Sequence, residues 1–361
     1  MKIKDKCMGA YIGAAIGDAM GGPVEAQHYK RIQKYAGEVK GLLPYGRPVS
    51  IIDLKPGYAL HPDPGCITDD TFIRKDLTNF YLETKAPRTP QMLVDWLLEN
   101  AELEEQWPDI MVEALYKVKN GEATAEDCGL TFKQGGGVGW WTPIAIIHAG
   151  NPKKAADQVR NLSRIWKAPL EQDLLAAKIA AIAEGVKEDA TYESMVEAMF
   201  EQCGPLATQL LERAINIANK AENVWDLAEK FYQEALMPDH TMSPYKKINE
   251  YDPPIEVDAP MPERVEPIDY KEDGYTCCFF AEQIPLALAA FAYAKGNIES
   301  IPVSCNLGRD CDTTATIVGA WVGALHGESG LPTEWVDPVC EVNKREMDIR
   351  KLSEQICELE E

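Results

Sequence analysis

Apolar residues in this chain recur every three or four positions far more often than every second one, which is the period of amphipathic helices. The pattern predicts helices over Asp70–Leu82, Pro90–Asn100, Trp107–Val118, Pro152–Ile165, Leu170–Val186, Tyr192–Gln202, Pro205–Ala221 and Val224–Glu234. Alternating runs of strand type are scarce, so the chain reads as all-α. Between Leu174 and Val186 alanines and aliphatics leave little polar face, which predicts an interior helix with the others layered around it.

Glycine supplies a second period. Gly9, Gly13, Gly17 and Gly21 recur at a spacing of four and fall on one helix face, where no side chain holds a neighbour away. Ala315, Gly319, Gly323 and Gly327 repeat the device through a helix predicted over Thr313–His326. Each helical glycine costs about 0.5–1 kcal/mol relative to alanine, so the two stripes imply a close-approach requirement that offsets the loss. The two helices are expected to be neighbours.

Proline and glycine crowd residues 41–68, and seven prolines lie among charges at 237–274, so both segments read as irregular connections. The first delivers the chain to Thr68. The 361 residues carry 36 lysines and arginines against 58 aspartates and glutamates, a net charge of −22. Such a chain repels nucleic acid and anionic membranes. Its ten cysteines contain no CxxC pair and its five histidines no metal-type spacing, so neither zinc nor a disulfide framework is signalled and a reducing cytoplasm is the expected setting. Residues 1–26 begin with lysines and a weakly apolar run, but the glycines and Asp18 do not fit a secretory core. No stretch approaches the roughly 20 apolar residues of a membrane-spanning helix.

Candidate chemistry lies in two acidic clusters nearly the whole chain apart, Thr68-Asp69-Asp70-Thr71 and Asp310-Cys311-Asp312-Thr313-Thr314. Each offers two carboxylates and a hydroxyl, the oxygen donors that hard ions such as Mg²⁺ or Mn²⁺ require. Each also precedes a predicted helix, where threonine and aspartate serve as ordinary caps. Four carboxylates at two helix starts would repel one another without cations between them. Cys311, between two acids, is read as packing.

In order along the chain, Gly17-Asp18-Ala19-Met20-Gly21-Gly22-Pro23-Val24-Glu25, the Thr68–Thr71 cluster and Asn306-Leu307-Gly308-Arg309-Asp310-Cys311-Asp312-Thr313 resemble the motifs of the ADP-ribosylglycohydrolases. That family includes dinitrogenase reductase-activating glycohydrolases and ADP-ribosyl-acceptor hydrolases. The resemblance covers nearly the whole chain and implies one all-α domain over residues 1–361, interrupted by the proline-rich insertion at about 237–274. It implies two Mg²⁺ ions, or Mn²⁺ in their place, with Thr68, Asp69, Asp70, Asp310, Asp312 and Thr313 as ligands. The activity implied is hydrolysis of an anomeric bond in an ADP-ribosylated acceptor or ribosyl-type small molecule. Glu25, Asp69 and Asp312 are then the candidate catalytic residues, Glu25 as the proton shuttle and Asp18 as a residue orienting a ligand at the substrate end.

Two places depart from the family pattern. Gln134-Gly135-Gly136-Gly137-Val138-Gly139 falls where relatives carry a glycine loop ending in methionine and arginine, but here Trp140 and Trp141 follow. Ser163-Arg164-Ile165-Trp166 stands where many relatives have Thr-His. Gly135, Gly136 and Gly137 are candidates for bringing backbone amides to a ligand, and Trp140 and Trp141 for stacking on it. Loss of the arginine keeps two alternatives open: a hydrolase of free nucleosides or nucleotide-like N-glycosides, and a non-catalytic ADP-ribosyl-binding or crystallin-like protein.

Overall fold

The helical period is realised throughout. The computed structural model describes residues 2–25, 27–45, 63–130, 137–235 and 280–359, which contain seventeen α-helices and one two-stranded sheet. The chain opens with α1 (Ile3–Gly21), β1 (Gln27–His28), α2 (Tyr29–Tyr35), α3 (Asp69–Glu83), α4 (Pro90–Asn100), α5 (Leu103–Gln106) and α6 (Asp109–Lys119). Next come α7 (Thr142–Ile147), α8 (Pro152–Ser163), α9 (Pro169–Gly185), α10 (Tyr192–Phe200), α11 (Pro205–Lys220) and α12 (Val224–Glu234). The last stretch holds α13 (Phe280–Tyr293), α14 (Ser300–Asn306), β2 (Gly308–Arg309), α15 (Cys311–His326), α16 (Thr333–Val342) and α17 (Ile349–Cys357).

Helix ends lie close to the predicted ones because proline marks several starts. Pro90, Pro152, Pro169 and Pro205 each occupy the first turn of their helix, where a missing N–H costs nothing. Proline also hides helices from a periodicity reading: α13, α14 and α16 carry Pro285, Pro302 and Pro338 inside them. The predicted insertion at 237–274 and most of the first proline-rich connection lie outside the described residues. As expected, α9 is interior, with residues from Leu174 to Ala183 buried on all sides. No helix among the described residues is long and apolar enough to cross a membrane.

The two glycine stripes meet. A β-carbon on Gly13 would land on the Gly319 carbonyl oxygen, and one on Gly319 would land on the Gly13 carbonyl oxygen. Gly9 with Gly323 and Gly17 with Ala315 repeat this overlap, so α1 and α15 run antiparallel with their backbones in contact. The register carries through to Gly21, whose β-carbon would lie 2.6 Å from the Asp312 Cα. Thus the end of α1 is fixed against the start of α15. The sheet extends the same juxtaposition, since β1 pairs antiparallel with β2 through Gln27 with Arg309 and His28 with Gly308.

Substituting a stripe glycine should be far costlier than substituting a loop glycine. Gly13→Ala forces backbone apart from backbone, and a loss of more than about 3 kcal/mol is expected, beyond ordinary overpacking. Gly37→Ala is the control: its φ of +73° is strained for alanine but nothing lies within 4 Å, so a loss of about 1 kcal/mol is expected. Urea denaturation of both variants checks the ranking, and equal losses would contradict it.

Candidate active site

Three chain segments converge where α1, α3 and α15 meet. Asp18, in the last turn of α1, is fully buried and caps α3 from outside: its Oδ1 accepts the Thr68 N–H at 2.9 Å and its Oδ2 the Thr71 N–H at 3.0 Å. Thr68, the residue preceding α3, makes no capping bond of its own. Its hydroxyl instead lies 2.6 Å from Asp18 Oδ1 and 2.9 Å from Asp312 Oδ2. One hydroxyl hydrogen cannot serve both oxygens, so the second contact requires a proton or a cation at that carboxyl.

Asp310, preceding α15, likewise forgoes its cap. Its Oδ2 accepts from Gln283 Nε2 instead. Asp18 makes up the missing cap of α3, but an unused cap costs about 1 kcal/mol, so the start of α15 trades stability for the placement of Asp310. Carboxylate oxygens of Glu25, Asp310 and Asp312 lie within 4.8 Å of one another, a grouping that can hold a metal ion. Asp310 and Asp312 are buried, whereas Glu25 is partly exposed. Asp70 Oδ2 accepts from the Thr313 hydroxyl at 2.6 Å, and Asp69 lies near enough to Asp312 to repel its charge. The N-terminal and C-terminal acids therefore share one neighbourhood.

Electrostatics here are those of crowded, buried acids. Burial, reinforced by the Asp70 charge, pushes the Asp18 carboxyl up to about 6. Burial and then repulsion by Asp310, Asp70 and Asp69 hold Asp312 well above the ordinary aspartate range. Asp70 is raised by burial and partly relieved by the Thr313 hydrogen bond, Lys178, Arg74 and the Gly139 backbone. Arg74 and Lys178 are fully buried cations that periodicity did not single out. Arg74 donates to the Thr71 hydroxyl at 2.8 Å, and its guanidinium lies 5.1 Å from the Tyr11 ring centre. Lys178 donates to the carbonyls of Val138 and Gly139, the latter at 2.8 Å, and burial lowers its amine to about 7.

Within the glycine-rich loop, Gly135 and Gly136 lie outside the described residues. Gly139 lacks a side chain because Asp70 occupies that space: a β-carbon there would overlap the Asp70 carboxylate. Gly137, at φ +80°, accepts from the Trp141 indole at 2.9 Å. The described part of the loop thus serves a carboxylate and the core.

Trp140 and Trp141 require a correction. Both are fully buried, stacked on each other with ring centres 4.0 Å apart, and present no face to a ligand. Trp107 and Trp166 close over Trp140 at 5.4 and 5.5 Å. Trp107, Trp140, Trp141 and Trp166 thus form one cluster of indoles filling its own core volume. Cys311 is buried packing, as expected, with its thiol against the Val24, Cys305 and Arg309 carbonyls.

A family model described as ADP-ribosylglycohydrolase matches residues 1–361. Among solved structures the chain is similar to one titled "ADP-ribosylglycohydrolase-related protein complex", with a TM-score of 0.58 at 19% identity over 99% of this chain and 98% of that one. At that identity the likeness is one of fold. No curated protein matches the chain.

Because Asp18, Asp70 and Asp312 are held above the ordinary range, the folded protein keeps protons that the unfolded chain has released. For Asp18 that window runs from 3.8 to about 6. Stability from these groups is present below it and is lost as pH rises through it. Asp312→Asn removes one such charge, so with a chelator present it should raise the melting temperature by about 3 °C at pH 8 and by little at pH 4. Scanning calorimetry at the two pH values checks this, and equal shifts at both would contradict it.

Proposed function

The chain belongs to the ADP-ribosylglycohydrolase family, whose members are glycoside hydrolases, and from that premise we propose that it cleaves the anomeric bond of an ADP-ribosyl or related ribosyl group in a Mg²⁺-dependent reaction. The observation that carries this reading is the convergence of Glu25, Asp310 and Asp312 with oxygens inside 4.8 Å, where α15 begins without a side-chain cap from Asp310. An all-oxygen donor set with several carboxylates fits Mg²⁺ or Mn²⁺.

Thr68, Asp69, Asp70, Asp310, Asp312 and Thr313 would hold two such ions, with Glu25 at their edge. Bound there, hard cations supply Lewis acidity, lowering the pKa of a water and gripping vicinal hydroxyls. The chain's own residues do the rest. Asp18 fixes Thr68 and Thr71 through three contacts, which orients the start of α3 toward Asp312. Carboxylates at Asp69 and Asp312 stabilise positive charge developing at the anomeric carbon as the bond lengthens. Glu25, the partly exposed member of the trio, takes a proton from water and passes it to the leaving group.

The substrate is an ADP-ribosylated acceptor or a smaller ribosyl compound. Burial of Trp140 and Trp141 removes the stacking platform as an argument for a free-nucleoside preference. Release of ADP-ribose or ribose from a panel of ADP-ribosyl proteins, ADP-ribosyl small molecules and nucleosides, with and without EDTA, tests the reading. EDTA-sensitive turnover of an ADP-ribosyl substrate is expected; turnover of nucleosides alone, or metal-dependent binding without turnover, would overturn it. Glu25→Gln should lower kcat by about 10²–10⁴-fold even at Mn²⁺ concentrations that saturate the site. Steady-state kinetics beside Mn²⁺ titration checks this loss.

A further inference from the structure

Asp310 is presented by a turn of unusual backbone. Gly308 and Arg309 both have positive φ, +74° and +69°, and Arg309 is one of two described non-glycine residues there. Left-handed backbone is disfavoured for a side chain as large as arginine unless the surroundings impose it. Here α13 imposes it. Glu282 takes the Arg309 guanidinium in a buried two-pronged pair, Nε to Oε1 at 2.7 Å and Nη2 to Oε2 at 3.2 Å. The next residue, Gln283, is 1% exposed and donates its Nε2 to Asp310 Oδ2. Successive residues of one helix thus grip successive residues of the turn.

Gln283 is poorly explained as a stabiliser. Among the described residues its Oε1 is buried without a hydrogen-bond partner, and an orphaned buried acceptor carries its full desolvation penalty. An apolar side chain of the same length would fill the volume without that penalty. A residue that burdens the fold beside an acidic cluster is the pattern expected of a site requirement.

Resting on the reading of Glu25, Asp310 and Asp312 as a cation site, we propose that Gln283 is a positioning residue of that site. Its amide ties down one oxygen of Asp310, leaving the other to face Glu25 and Asp312, and the Glu282–Arg309 pair fixes the turn that carries Asp310. Gln283 acts through Asp310 and takes no part in the chemistry.

The test uses the full-length protein and Mn²⁺ alone, with binding followed by calorimetry and by the Mn²⁺ electron paramagnetic resonance signal. Wild type should bind, and Gln283→Met should bind about 10–100-fold more weakly, the loss typical of removing a ligand's hydrogen-bond partner. The metal-free melting temperature of that variant should change little, because removal of the orphaned oxygen offsets the hydrogen bond lost at Asp310. Gln283→Leu provides a second variant should methionine pack badly, and Glu282→Gln should weaken Mn²⁺ binding by releasing the turn. Wild-type affinity in both Gln283 variants would overturn this inference and leave the site reading standing. A lowered metal-free melting temperature in both would reduce Gln283 to a structural role and also overturn it. Failure of wild type to bind Mn²⁺ would overturn the site reading, and this inference with it.

Discussion

The contact on which the rest of the structure depends is the backbone-to-backbone seam between α1 and α15. Carbonyl oxygens of one helix occupy the volume where the other would carry β-carbons, so neither helix can slide or rotate without collision. Gly21 lies against Cys311 and Asp312 at one end of the seam, which leaves little freedom in where Asp18 and Glu25 stand relative to Asp310 and Asp312. The β1–β2 pairing then locks the segment beyond α1 to the segment before α15. A site that needs acids from distant parts of the sequence obtains its precision from residues that have no chemistry at all.

Crowding those acids is costly, and the fold meets the cost in several ways. Arg74 and Lys178 lie buried behind the carboxylates, each with its charge disfavoured by burial and favoured by Asp70. The Thr68 hydroxyl bridges the Asp18 and Asp312 carboxyls, and the Thr313 hydroxyl of α15 donates to Asp70 of α3. Asp18, raised to about 6, and Asp312, raised well above the ordinary range, take up protons more readily than free aspartates. The arrangement gives up the Asp310 cap of α15 and, among the described residues, leaves polar atoms of Arg74 and Gln283 without partners, a concession of stability.

Much of this was legible in the sequence because its signals were periodic or local. The glycine stripes announced their pairing, the helix starts were marked by proline, and the two acidic clusters with Glu25 named the residues that converge. Gln283, Glu282, Arg74 and Lys178 were not legible: each is a polar residue within an apolar stretch, and nothing in its spacing states which distant carboxylate it meets. Arg309 carried a faint signal, as a large residue directly after a glycine in a turn. Trp140 and Trp141 misled for a related reason. A tryptophan's neighbours decide whether it is platform or core, and Trp107 and Trp166 lie too far along the chain for the cluster to be read in advance.

The seam also sets the order in which the molecule can be built. During synthesis α1 is made long before its partner, so the bare glycine face of α1 must wait for the many intervening helices before it is covered. Long-range closures of this kind are slow and leave intermediates exposed. Until that closure Asp18 and Glu25 stand apart from Asp310 and Asp312, so an incomplete nascent chain has no assembled site.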